Sequence, residues 1–212
     1  MRKLIAFGLG LALILPLQSA WAQNKLSKEE KKEGFQLLFD GKALKGWEGD
    51  PDLWRVENGE IAGSTDKKEI KTNQFLITTK EYGDFELRLE MKIRNGNSGV
   101  QFRSTRLDNF VVQGLQADAA HENWWGGVYD EKGTRGVMVN GWKDKAEKVV
   151  RNGDWNEMIL RCKGEDISIK INGMETAALK DSVKMSGIIA LQLHRGPGME
   201  VRVRNVRIKE LK

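Results

Sequence analysis

Three short stretches of this chain put hydrogen-bonding side chains at alternate positions of strand-like segments. Gln101 and Arg103 alternate with Val100 and Phe102, Gln116 and Asp118 with Leu115 and Ala117, and Gln192 and His194 with Leu191 and Leu193. Side chains along a strand point to opposite faces in turn, so each pair shares one face. If the three strands are neighbours, their polar faces make a floor of amides, a guanidinium, a carboxylate and an imidazole. Those groups suit an array of sugar hydroxyls. Separately, each pair also fits an ordinary solvated face.

A second cluster lies between His121 and Gly136. Trp124 and Trp125 stand before Gly126 and Gly127, and their planes can either stack on a pyranose ring or fill a core. Tyr129, Asp130 and Glu131 follow with a phenol and two carboxylates, and Arg135 lies close by. Two carboxylates flanking a sugar can divide acid and base roles, and a structural loop is the plainer alternative. His194 precedes Arg195-Gly196-Pro197-Gly198, where a strand gives way to a turn.

The elements that must position these groups are mostly strands. Phe85, Leu87, Leu89, Met91 and Ile93 alternate with charged residues, which predicts a half-buried strand. Further candidates are Phe35 to Phe39, Leu53 to Val56, Gln74 to Thr79, Asn156 to Lys163, Ile167 to Ile171, Ile188 to His194 and Met199 to Lys209. Asn172-Gly173 is a hairpin turn, and the alternation slips near Arg204-Asn205, which predicts a bulge. Ser27 to Glu30 reads as a capping box opening one or two helical turns. Gly41, Gly46, Gly59 and Gly164 mark turns, and Asn109 to Asn140 is less regular and is expected to carry long loops. The whole reads as an all-β, antiparallel sandwich of the jelly-roll type.

Residues 1–22 read as a secretory signal peptide. Arg2 and Lys3 precede an apolar run too short to span a bilayer, and Ala20-Trp21-Ala22 is a small-x-small cleavage site. Residues 23–33 are then a charged lead-in and 34–212 a single domain. The formal charge of +5 falls to +3 without Arg2 and Lys3. Scattered basic residues and an exported location speak against nucleic acid as a partner. The single Cys, Cys162, allows no internal disulfide and alternates with Met158 and Leu160 as a buried hydrophobe would.

These residues resemble the 3-keto-disaccharide hydrolase domain family, which has a concanavalin-like lectin/glucanase sandwich. The resemblance runs from about Gly34 to Leu211. It is carried by Leu38-Phe-Asp-Gly-Lys42, Gly46-Trp47, Trp54-Arg-Val-Glu-Asn-Gly59, Tyr82-Gly-Asp-Phe-Glu-Leu-Arg88 and Asn97-Ser-Gly-Val-Gln-Phe-Arg103. Gly114-Leu-Gln-Ala-Asp118, Trp125-Gly-Gly-Val-Tyr-Asp-Glu131, Gly187-Ile-Ile-Ala-Leu-Gln-Leu-His194 and Arg204-Asn-Val-Arg-Ile-Lys-Glu-Leu211 follow in the family's order.

The resemblance implies cleavage of glycosides oxidised at C3, and the signal peptide at residues 1–22 sets the expected location in the periplasm or outside the cell. The ketone acidifies the C2 proton, a base removes it, the C1 substituent leaves, and water adds to the enone. Matching positions make Asp118 or Glu131 the candidate base. His194 and Arg103 become candidate stabilisers of the enolate oxygen, with Gln116 and Gln192 orienting hydroxyls. Gln101, Trp124, Trp125, Tyr129, Asp130 and Arg135 complete the expected sugar-contacting set. No cofactor is assigned, and a divalent metal is left open as the polariser, with no ligand set. The competing expectations are a non-catalytic lectin-like module on the same fold and a purely structural envelope protein.

Overall fold

The computed structural model describes residues 23–212, so the expected leader lies outside the described residues. A single helical turn, α1 (Lys28–Glu33), opens with the expected capping box: the Ser27 hydroxyl accepts from the Glu30 N–H, and the Glu30 carboxylate accepts from the Ser27 N–H. Gly34 ends it at φ 91°, in the left-handed region that glycine occupies at no steric cost.

Fifteen strands follow in chain order: β1 (Gln36–Leu37), β2 (Trp47–Glu48), β3 (Trp54–Glu57), β4 (Glu60–Ser64), β5 (Gln74–Tyr82), β6 (Phe85–Asn95), β7 (Asn97–Arg106) and β8 (Val112–Ala120). Then come β9 (Val128–Glu131), β10 (Gly136–Val139), β11 (Asn156–Lys163), β12 (Asp166–Ile171), β13 (Met174–Lys180), β14 (Gly187–Leu193) and β15 (Glu200–Glu210). They form two sheets, in which every pairing is antiparallel. One runs β13-β12-β11-β6-β15-β4-β3 with β1 on β15; the other runs β10-β9-β8-β7-β14-β5-β2. Both C-terminal strands are inserted into sheet interiors, β14 between β7 and β5 and β15 between β6 and β4.

The alternation predicted for β6 is what buries it, with Phe85, Leu87, Leu89, Met91 and Ile93 inside and the charged residues between them partly exposed. One core joins these to Val100, Phe102, Leu115, Leu191 and Leu193 of the facing sheet. Cys162 lies in that core, where burial pushes its thiol up to about 12. Asn172 and Gly173 sit at φ 48° and 86° in the β12–β13 turn, and the predicted slip in β15 is a bulge with Asn205 at φ 54°. The stretch from Asn109 to Asn140 holds more regular structure than expected, since β8, β9 and β10 all fall within it.

Arg103 departs from its expected place. The β7–β8 register shifts between Phe102 and Thr105, and Arg103 takes φ 46°, so the alternation breaks there. Its fully buried guanidinium leaves the polar face and donates to the carbonyls of Gly83 and Gly164 (3.0 and 2.8 Å) and to the Asp84 carboxylate (2.8 Å). Gly164 belongs to the β11–β12 turn and Gly83-Asp84 to the β5–β6 crossover, so this side chain staples the two sheets at one end. Replacing Arg103 with Leu strands two carbonyls and a carboxylate, and is expected to cost about 3–5 kcal/mol of unfolding free energy in a urea titration. A loss under about 1 kcal/mol would show that the staple is dispensable.

Candidate active site

The polar floor does assemble. Gln101 on β7 is the direct register partner of Gln116 on β8, which in turn faces Tyr129 on β9. Asp118 faces Gly99, and β14 on the far side of β7 carries Gln192. The glycine at 99 has a cause: a Cβ there would lie 2.6 Å from the Gln116 side chain, which crosses above it. One chain of hydrogen bonds links the row. Ser104 Oγ donates to Gln101 Oε1 (2.8 Å), Gln101 Nε2 to Gln116 Oε1 (3.0 Å), and Gln116 Nε2 to Asp118 Oδ1 (3.0 Å) and Gln192 Oε1 (3.4 Å). Gln192 Nε2 then donates to Glu131 Oε2 (3.5 Å), whose other oxygen accepts from Asn73 Nδ2 (3.0 Å).

Above this floor is an open cleft of about 490 Å³. Gln116, Asp118, Trp124, Tyr129, Glu131, Gln192 and His194 line it, together with Lys71, Thr72, Asn73, Asn97, Lys132, Val137 and Arg195. Asp118 is only 3% exposed, and its second oxygen accepts from Trp124 Nε1 at 3.0 Å. Burial pushes the Asp118 carboxyl up to about 6; the Gln116 and Trp124 hydrogen bonds oppose that rise and the nearby Glu131 charge adds to it. His194 stands one residue past the end of β14. Its Nδ1 lies 2.6 Å from the Arg195 carbonyl, which can only accept, so in the neutral ring Nδ1 carries the proton and Nε2 keeps the lone pair.

Five expected residues lie elsewhere. Arg103 serves as the staple described above. Gln101 is fully buried behind Gln116 and supports it from below. Trp125 is in the hydrophobic core, because Trp124 adopts φ 71° and turns the two indoles apart. Asp130 faces Leu115, the opposite side from Tyr129 and Glu131, as period two requires of the middle residue of a triplet. It accepts from the Arg135 backbone and Nε (3.2 and 3.0 Å), and Arg135 also pairs with Asp181. Asp130 and Arg135 therefore brace the β9–β10 hairpin.

Lys71, Asn73, Asn97, Lys132 and Arg195 were missed as site residues. Most sit just outside strand ends, where alternation says nothing about direction. Asn97 alone had a signal, standing at the head of the Asn-x-Gly motif. Among the described residues no three His, Cys, Asp or Glu side chains gather as a ligand set for a metal ion. The oxygens of Asp118 and Glu131 each accept one hydrogen bond from an amide or indole donor.

The profile of the 3-keto-alpha-glucoside-1,2-lyase-like domain matches residues 34–209, and the chain belongs to this family. A Parabacteroides distasonis protein, provisionally named a glycosyl hydrolase, shares the fold with a TM-score of 0.70 at 24% identity, over 90% of this chain and 100% of that one. Carbohydrate-binding module CBM66 of Bacillus subtilis gives 0.60 at 15% identity, over 76% and 94%. The β-glucanase of Bacillus licheniformis gives 0.58 at 10% identity, over 84% and 99%. Among curated proteins no match is found.

A raised carboxyl pKa carries a stability cost with a defined sign. Between about pH 4 and pH 6 the folded chain keeps a proton on Asp118 that the unfolded chain has released. Stability therefore falls as pH rises through this window and is flat above it, the full effect being about 3 kcal/mol. Urea denaturation of the parent and of Asp118→Ala at pH 4 and pH 7 is expected to show the parent losing about 2–3 kcal/mol relative to the variant at the higher pH. A difference that does not change with pH would contradict the raised pKa.

Proposed function

We propose that this chain is an exported enzyme that cleaves 3-keto-glycosides by elimination followed by hydration. The observation that carries the reading is Asp118, a buried carboxyl near pKa 6 on the floor of an amide-lined cleft. A base of that strength is still ionised at pH 7 yet holds a proton far better than an ordinary carboxylate, which suits removal of a proton acidified by a neighbouring ketone.

In this reading Asp118 takes the C2 proton and its electron pair moves toward the C3 ketone oxygen as an enolate. Expulsion of the C1 oxygen then forms the enone. The departing oxygen takes its proton from Asp118, which has just received it from C2; the His194 Nε2 lone pair or the Glu131 carboxylate then accepts a proton from the water that adds across the C1–C2 double bond, yielding the free 3-keto sugar. With Arg103 committed to the fold, the cleft donors that can serve the ketone oxygen include the Asn97 amide and the Tyr129 hydroxyl. Gln192 and Asn73 orient hydroxyls. The Trp124 indole, tethered to Asp118 by its N–H, offers a fixed plane for the C–H face of the ring. Export rests on the leader-like composition of residues 1–22 and places the enzyme in the periplasm or outside the cell.

The test is incubation with 3-keto-α- and 3-keto-β-glucosides, following released alcohol and free 3-keto sugar. Turnover is expected, with kcat/KM climbing about tenfold per pH unit below 6 and levelling above it. Asp118→Asn should lose at least about a hundredfold, or ~2.7 kcal/mol of barrier, together with that pH limb. Sugar binding without turnover would instead make the chain a carbohydrate-binding module, and an unaltered rate in Asp118→Asn would remove Asp118 from the chemistry.

A further inference from the structure

The cleft is asymmetric in charge. Its floor holds two carboxylates, Asp118 and Glu131, while Lys71, Lys132 and Arg195 line its exposed mouth. Most other described arginines are paired, such as Arg94 with Asp66, Arg135 with Asp130, Arg202 with Glu200, Arg204 with Glu90 and Arg207 with Glu30, whereas exposed lysines such as Lys42, Lys67 and Lys143 are not. None of the three mouth cations forms a salt bridge among the described residues. The floor carboxylates do not claim them, because neutral donors already hold both: Gln116 and Trp124 on Asp118, Asn73 and Gln192 on Glu131. Nor is the acidity of Asp118 set by a cation; burial, Gln116, Trp124 and Glu131 account for it.

Two of the three positions are held in place. The Arg195 N–H donates to Asn73 Oδ1 (3.0 Å) and its carbonyl accepts from the His194 ring, so its backbone is fixed by two cleft residues. The Lys132 carbonyl accepts from Gln113 Nε2 (3.2 Å) on β8. The backbone is thus tied while the charged ends stay uncommitted, which suits recognition of an anion that arrives with the substrate.

We propose that the cleft selects a glycoside bearing an anionic group, a sugar carboxylate or a sulfate ester, with Lys71, Lys132 and Arg195 gripping that group at the mouth while the sugar ring lies on the amide floor. The inference rests on the proposed sugar site but not on the 3-keto chemistry. It names a substrate class that the neutral floor alone would not prefer, since the floor carboxylates repel an anion unless the mouth compensates.

The test is calorimetric binding of three non-oxidised disaccharides to the purified protein: one ending in a hexuronic acid, one carrying a sulfate ester and their neutral parent. Either acidic sugar is expected to bind at least fivefold more tightly than the parent at 50 mM salt, with that advantage shrinking at 500 mM. Which acidic sugar leads identifies the anionic group. The triple variant Lys71→Ala, Lys132→Ala, Arg195→Ala should bring the ratio to about one, and its unfolding curve checks that it is folded. Equal affinity for acidic and neutral sugars, an advantage that survives in the folded triple variant, or no binding of any of the three overturns the inference. Turnover of neutral 3-keto-glycosides without an acidic preference overturns it alone. An acidic preference without any turnover overturns the proposed reaction and leaves this inference standing.

Discussion

A row of polar side chains lies buried on one face of a sheet, and every member must keep its hydrogen bonds while water is largely excluded. An unpaired amide or carboxylate there would cost several kcal/mol, so the row survives only as a closed network. Gln101 holds Gln116, Gln116 holds Asp118 and Gln192, and Gln192 reaches Glu131. The register of β8, β7 and β14 is what makes this possible, since a slip of one residue would send all of these groups into the apolar core. The same constraint explains the glycine at position 99, where a side chain would block the crossing amide.

The network also sets the electrostatics of the cleft. It satisfies two buried carboxylates with uncharged donors, which keeps them in place without neutralising them by ion pairs. Burial then raises the Asp118 carboxyl instead of being cancelled by a neighbouring cation. Arginine, the strongest donor available, is used elsewhere: Arg103 ties the sheets together and Arg135 braces a hairpin. The chain thus separates charges that hold the fold from charges left at the mouth of the cleft.

Most of the sandwich was legible in the sequence because strand burial follows period two, and β6, β11 and β12 obey it closely. The same rule placed Gln116, Asp118 and Gln192 on one face. It failed at Arg103, where a bulge and a left-handed backbone reverse the side chain, and a non-glycine residue at positive φ leaves no composition signal. At Tyr129-Asp130-Glu131 the rule holds, and taken residue by residue it separates Asp130 from its neighbours. Trp124 and Trp125 could not be told apart, since loop geometry rather than periodicity turns one inward. The mouth residues come from strand ends and connections brought together only by the sheet order, and sheet order depends on pairings between residues far apart in sequence.

The central claim is that one carboxyl, Asp118, is held in the floor of this cleft with its acidity weakened by burial. Its titration can be watched directly by carbon-detected NMR of the side-chain carboxyl, assigned by comparison with Asp118→Asn. The expected midpoint is near 6, well above the ordinary aspartate range near 4. A midpoint at or below 4 would contradict it, because the carboxyl would then be solvated or ion-paired rather than buried among neutral donors.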